Sequence, residues 1–211
     1  MFNFVHMSST HKNSSLPIME HFYTIQGEGY HSGRAAYFIR TAGCDVGCVW
    51  CDVKESWIST PDQWMSIEAI LDSVKSVNAT FVVITGGEPT MHSLKDLVDL
   101  LHAHQIEVAI ETAGVYPLDA PINWYCFSPK KFKKPIQEAY DKANELKIVI
   151  NHISDLSWAE EHAQKVSDSC QLYLQPEWEK SERLLQEIIA YLKSNQKWKI
   201  SLQTHKYMKI P

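Results

Sequence analysis

From Ala35 onward the chain alternates short apolar stretches with longer segments in which apolar residues return every three or four positions. Ala35-Ala-Tyr-Phe-Ile-Arg40 and Thr80-Phe-Val-Val-Ile-Thr85 are continuous rather than alternating, the pattern of strands covered on both faces. Between them Ile67, Ile70, Leu71, Val74 and Val77 fall on one face of a helix over 66–77. Ser93 is placed to cap a second helix with Leu94, Leu97, Val98 and Leu101 inward. The rhythm continues with strands near 106–111, 123–127, 146–150, 171–174 and 198–203, and with helices near 155–166 and 180–193. Such alternation predicts parallel βα units whose chemistry gathers at the C-terminal strand ends. Six or seven strands fit this length, so a full eight-fold barrel with standard helices does not. Residues 1–18 are read as a flexible N-terminal extension and 19–211 as one domain, without repeat, linker or low-complexity block.

Composition narrows the partners. Across 211 residues, 45% are hydrophobic and 21% charged, too apolar for a disordered chain. A net charge of −5 argues against non-specific binding to nucleic acid or anionic membranes. Of the cluster Lys130, Lys131, Lys133 and Lys134, all but Lys130 are accordingly read as a solvated loop. No apolar run approaches the ~20 residues that cross a bilayer, and the N-terminus has no secretory pattern. The expectation is a soluble, cytoplasmic protein. Its five cysteines are an odd number, and Cys44, Cys48 and Cys51 crowd into one stretch where disulfides would be cramped, so metal ligation is the first reading.

That stretch, Cys44-Asp-Val-Gly-Cys48-Val-Trp-Cys51, follows the first predicted parallel strand. Three thiolates can hold three irons of a cubane cluster and leave the fourth open. The alternative is a zinc-dependent binding module, but structural zinc wants four ligands, and neither Cys126 nor Cys170 has a cysteine partner nearby. One βα unit later comes Thr85-Gly-Gly-Glu-Pro89, where glycines admit close backbone approach and a carboxylate can accept from an ammonium; alone, it also reads as turn chemistry. The cysteine spacing, with Trp50 before the third cysteine, and the Gly-Gly-Glu turn resemble the radical S-adenosylmethionine superfamily. That resemblance implies a [4Fe-4S] cluster on Cys44, Cys48 and Cys51, with S-adenosylmethionine on the open iron. It also implies an incomplete (β/α)6-type partial TIM barrel with reduced helices.

Further matches choose the member. Phe22-Tyr-Thr-Ile-Gln-Gly-Glu-Gly29, Phe38-Ile-Arg40, Glu111-Thr-Ala-Gly114, Ser128-Pro-Lys130, Leu174-Gln-Pro176 and Ser201-Leu-Gln-Thr-His-Lys-Tyr207 resemble the 7-carboxy-7-deazaguanine synthase family over about 19–211. The resemblance implies a lyase that contracts 6-carboxy-5,6,7,8-tetrahydropterin to 7-carboxy-7-deazaguanine with loss of ammonia, in queuosine biosynthesis. It places Ile25, Gln26, Gly27, Arg40, Thr85, Glu111, His205 and the terminal carboxylate of Pro211 on the substrate. Trp50, Cys51, Asp52, Gly87, Glu88, Ser128, Pro129, Lys130, Tyr173, Leu174, Gln175 and Pro176 fall to S-adenosylmethionine. Physically, a flat pterin carboxylate needs cations, which Arg40 and His205 supply, and ring-edge partners, which Glu28, Glu111 and the Gln26/Gly27 backbone supply. The family also implies a homodimer and an electron donor such as flavodoxin, with no nucleic acid or membrane contact. One departure stands out: the family's Cys-Asp-Thr magnesium ligand is Cys51-Asp52-Val53 here, and valine offers a hard cation no oxygen, so either magnesium is held by substrate, water and backbone, or another ion or none fills the place. A small glycyl-radical activase is the competing reading within the superfamily, since it would keep the cysteine loop without pterin-binding ends.

Overall fold

The computed structural model describes residues 14–211. A hairpin of β1 (Ser15–Ile25) and β2 (Ala35–Thr41) opens the chain, followed by β3 (Trp64–Ser66), α1 (Ile67–Ser76), β4 (Phe81–Gly86), α2 (Lys95–Ala103), β5 (Glu107–Thr112) and β6 (Trp124–Phe127). Next come α3 (Gln137–Lys142), β7 (Glu145–Ile150), α4 (Asp155–Ala163), β8 (Gln171–Pro176), α5 (Ser181–Ser194), β9 (Trp198–Ile200) and α6 (Thr204–Met208). One nine-stranded sheet runs β3-β1-β2-β4-β5-β6-β7-β8-β9. Every pairing from β2 to β9 is parallel, while β1 lies antiparallel to both β2 and β3. The seven parallel strands and short helices are the expected partial α/β barrel. Among the described residues no helix is long and apolar enough to cross a membrane.

Side chains along each parallel strand alternate between two sides. Ile39, Val82, Ile84, Val108, Ile110, Phe127, Leu146, Ile148 and Leu174 join one large core with the inward faces of the helices. The opposite positions face the barrel interior, where Ala36, Phe81, Val83 and Ala109 form a small apolar plug. The helices are amphipathic for the same reason: Ile67, Ile70, Leu71 and Val74 of α1, and Leu97, Val98 and Leu101 of α2, are buried against that outer face. Ser66 caps α1 by accepting from the Ala69 amide at 3.2 Å.

Three expectations are corrected. The fold starts at Ser15, not residue 19: Leu16 and Ile18 are core residues of β1, while residues 1–13 of the expected extension lie outside the described part. Ser93 does not cap α2; Asp119 does so from a distant loop, accepting from the Leu94 amide at 3.0 Å and from Ser93 Oγ at 2.5 Å. The last strand stops at Ile200, and the chain then turns into α6.

Candidate active site

A cavity of about 510 Å³ opens at the C-terminal ends of the parallel strands. The loop after β2 brings Cys44, Cys48 and Cys51 to its wall, held by main-chain bonds from Gly43 N to Ser56 O (2.6 Å) and from Cys44 N to Trp57 O (3.1 Å). The turn after β4 presses against this loop: Gly87 N donates to Thr41 O at 3.0 Å and Glu88 N to Gly43 O at 2.9 Å. A Cβ at Gly87 would lie 2.7 Å from Cys44 Cβ, so only glycine lets the turn and the cysteine loop meet. Burial pushes the Cys48 thiol up to about 11, against the opposing charge of Lys130, and burial also raises Cys44. Such thiols need a strong positive partner to ionise, which an iron cluster supplies. Among the described residues no three Cys, His, Asp or Glu side chains converge as a single metal ion requires, whereas a cubane takes each thiolate on a different iron. The donor set fits the cluster better than it fits zinc.

All nine residues expected on the substrate (Ile25, Gln26, Gly27, Glu28, Arg40, Thr85, Glu111, His205 and Pro211) line this one cavity. The β1–β2 loop reaches the chain's end to complete it. Thr204 N and Oγ1 both donate to Gly27 O at 3.0 Å, and a Cβ at Gly27 would stand 2.7 Å from the His205 amide. Arg40 gives its Nε to Glu20 at 2.6 Å. Burial lowers the His205 imidazole below its ordinary value, against Glu28, which raises it.

Of the residues expected on the nucleoside cofactor, Trp50, Cys51, Asp52, Gly87, Ser128, Lys130, Gln175 and Pro176 lie on the wall. Pro129, Tyr173 and Leu174 do not; Leu174 faces the outer core, and Tyr173 is buried in β8. Glu88 is the larger correction. Its side chain is 1% exposed and off the wall, with Oε1 accepting from Thr90 N (3.2 Å), Thr90 Oγ1 (2.6 Å) and Thr112 Oγ1, and Oε2 from Ala113 N (2.8 Å). Four internal donors make it a brace between the glycine turn and the end of β5 rather than an open acceptor for an ammonium. The lysine loop lies at the surface as expected: Lys131 and Lys134 are exposed, Lys131 pairs with Asp155 at 2.5 Å and Lys133 with Asp45 at 2.6 Å.

Position 53 offers no magnesium ligand. Val53 has no side-chain oxygen, its carbonyl accepts from Ser56 Oγ (2.6 Å) and Ser56 N (3.1 Å), and the neighbouring Asp52 carboxylate pairs with Lys206 at 3.3 Å. The residues present do not fit the ion there.

Sequence reasoning missed Lys147. It lies within β7, 3% exposed, yet on the cavity wall, with Nζ 2.5 Å from Glu28 Oε2 and 2.9 Å from Glu111 Oε2. Gln203 Nε2 donates to Glu28 Oε1 and Gln26 Nε2 to Glu111 Oε1, both at 2.8 Å. A lone lysine in Leu-Lys-Ile-Val-Ile, at the inward parity of a buried strand, was the available signal.

The radical SAM superfamily model matches residues 38–154. The chain is 48% identical over 200 residues to the 7-carboxy-7-deazaguanine synthase of Flavobacterium psychrophilum, spanning 95% of each chain. It is 43% identical to that of Synechocystis sp. over 93% of this chain and 94% of the relative, and 34% identical to that of Escherichia coli K12 over 92% and 98%. The crystal structure of QueE from Escherichia coli superposes with a TM-score of 0.81 at 32% identity, covering 89% of this chain and 93% of that one.

Proposed function

This chain belongs to the 7-carboxy-7-deazaguanine synthase family of the radical S-adenosylmethionine superfamily, and from that premise we propose how its cavity divides the work. It is a lyase of queuosine biosynthesis that contracts 6-carboxy-5,6,7,8-tetrahydropterin to 7-carboxy-7-deazaguanine and releases ammonia, using a [4Fe-4S] cluster and S-adenosylmethionine. Cluster and nucleoside, when bound, supply the radical that starts the ring contraction.

The protein's part is binding, orientation and proton placement. Cys44, Cys48 and Cys51 would hold the cluster at one side of the cavity. The backbone of Gly87, with Trp50, Asp52, Ser128, Lys130, Gln175 and Pro176, seats the nucleoside beside it, and Glu88 acts on that seat by holding the turn. Arg40, whose terminal amino groups remain for an anion once Nε serves Glu20, takes the pterin carboxylate together with His205. Glu28, Glu111 and the Gln26–Gly27 backbone take the ring edge. Substrate and product differ by ammonia alone, so the two hydrogens that the ring carbons lose end on the departing nitrogen, and a cavity lined by carboxylates and an imidazole suits their movement as protons. The supporting observation is that all nine pterin-side residues, gathered from β1 and the loop after it, β2, β4, β5 and the last residues, line one cavity beside three cysteines.

The family resemblance supports a cytoplasmic homodimer fed by an electron donor such as flavodoxin, and the −5 charge supports the absence of direct contact to nucleic acid or membrane. The test is anaerobic assay of the reconstituted protein with S-adenosylmethionine, reductant and the pterin. Deazaguanine and ammonia in equal amounts are expected. Cleavage of S-adenosylmethionine with no pterin turnover would overturn the assignment and favour an activase.

A further inference from the structure

Lys147 is enclosed by groups from every neighbouring element. Glu111 comes from β5, Glu28 from the β1–β2 loop and Cys126 from β6, while Glu145 lies two residues earlier on β7 and Tyr173 stands in register on β8. Gln26 and Gln203 donate to the far oxygens of the two carboxylates, and the further basic side chains coupled to the group are His205, through Glu28, and Lys130. Burial draws the ammonium down, but the two glutamates outweigh it and hold it well above its ordinary value. For Glu28, burial pushes the carboxyl up, and the charge and hydrogen bond of Lys147 with the Gln203 bond bring it to about 2.

We infer that Lys147 is a positioning residue of the cavity floor: one buried ammonium pairs with Glu28 and Glu111 at once and fixes which oxygens they turn to the ring. The two carboxylates then present acceptors to the pterin, so this part of the floor favours a ring edge that carries N–H donors. Without the lysine, two carboxylates would face each other in a buried cavity, and one would take a proton and become a donor where the ring needs an acceptor. This inference rests on the pterin reading above.

The test compares native protein with Lys147→Met, both reconstituted with cluster and S-adenosylmethionine and without reductant, by equilibrium titration of the pterin at several pH values. The ratio of variant to native dissociation constants should be about 30 near pH 6.5 and shrink several-fold by about pH 8.5, as base removes the trapped proton. Iron content and S-adenosylmethionine affinity should match native, because Lys147 touches neither seat. A ratio that does not change with pH would overturn the inference. If Lys147→Met does not fold, thermal unfolding of Glu28→Gln/Lys147→Met decides: with one negative charge fewer to balance, the double variant should fold, and its failure would equally overturn the inference. If native protein itself binds no pterin, the proposed function falls, while the stability of the double variant against the single one still tests the charge balance.

Discussion

The two faces of the parallel strands obey different rules. On β5 and β7, Val108, Ile110, Leu146, Ile148 and Ile150 point outward into a continuous aliphatic core beneath the helices. Glu111, Lys147 and Val149, one residue away, point to the cavity. The outer face has no polar duty and is filled for packing. The inner face must present charge in a poorly solvated space, so each of its groups needs a partner: Lys147 has two glutamates, Glu28 has Gln203 and Glu111 has Gln26. Stability should therefore follow the outward residues, and function the inward ones.

The largest effect expected on that division is Phe127→Ala. Phe127 is fully buried on the outer face, with its ring edge-on to Tyr140 at 4.9 Å. The truncation should cost about 3–5 kcal/mol in denaturant unfolding while leaving cofactor affinity at the native value. Glu88→Ala is next and crosses the division. It strips four buried donors of their acceptor, so it should cost about 2–3 kcal/mol and also weaken S-adenosylmethionine binding through the loosened glycine turn. Weakened binding at unchanged stability would mean that Glu88 faces the ligand after all.

A pH test reads the outer face alone. Burial holds the His162 imidazole down to about 4, and its Nδ1 lies 3.0 Å from Tyr140 Oη within the helix-side core. The folded state thus binds fewer protons than the unfolded chain between about pH 6.5 and pH 4. Stability should fall as pH drops through that window, by on the order of 2 kcal/mol, and level off below it. Unfolding curves of His162→Gln should lose most of that slope. The smallest effect belongs to Cys126→Ala. This buried thiol lies apart from the cysteine loop, so the change should cost about 1 kcal/mol and leave iron per chain unaltered. Iron lost from this variant would undo the three-cysteine assignment.

The outer face was legible in the sequence where a continuous apolar strand or a helix of two turns or more carries the pattern, as in the Ile67, Ile70, Leu71 and Val74 stripe. The inner face was legible only where short motifs marked it, at the cysteines, Gln26-Gly27-Glu28 and Thr204-His205-Lys206. Lys147 escaped because a single charge inside an apolar run reads as noise until the partner loops are in place. β1 was not recognised as a strand: Pro17 and its mixed polar residues suit a strand beside a short edge and lack the continuous apolar signature. α3 and α6, of six and five residues, are too short to show a period. Glu88 was assigned by its motif, but only the positions of Thr90, Thr112 and Ala113 reveal what occupies its carboxylate.

Adjacent residues on one strand put the division to its most direct test. Glu111→Gln and Ile110→Val, side by side on β5, would each be measured for pterin affinity and for unfolding free energy in the reconstituted protein. Glu111→Gln should lower pterin affinity at least ~10-fold with stability held within about 1 kcal/mol, since the amide keeps the shape of the carboxylate. Ile110→Val should lower stability by about 1 kcal/mol and leave pterin affinity unchanged. Native pterin affinity in Glu111→Gln, or an affinity loss in Ile110→Val equal to that of its neighbour, would contradict the account.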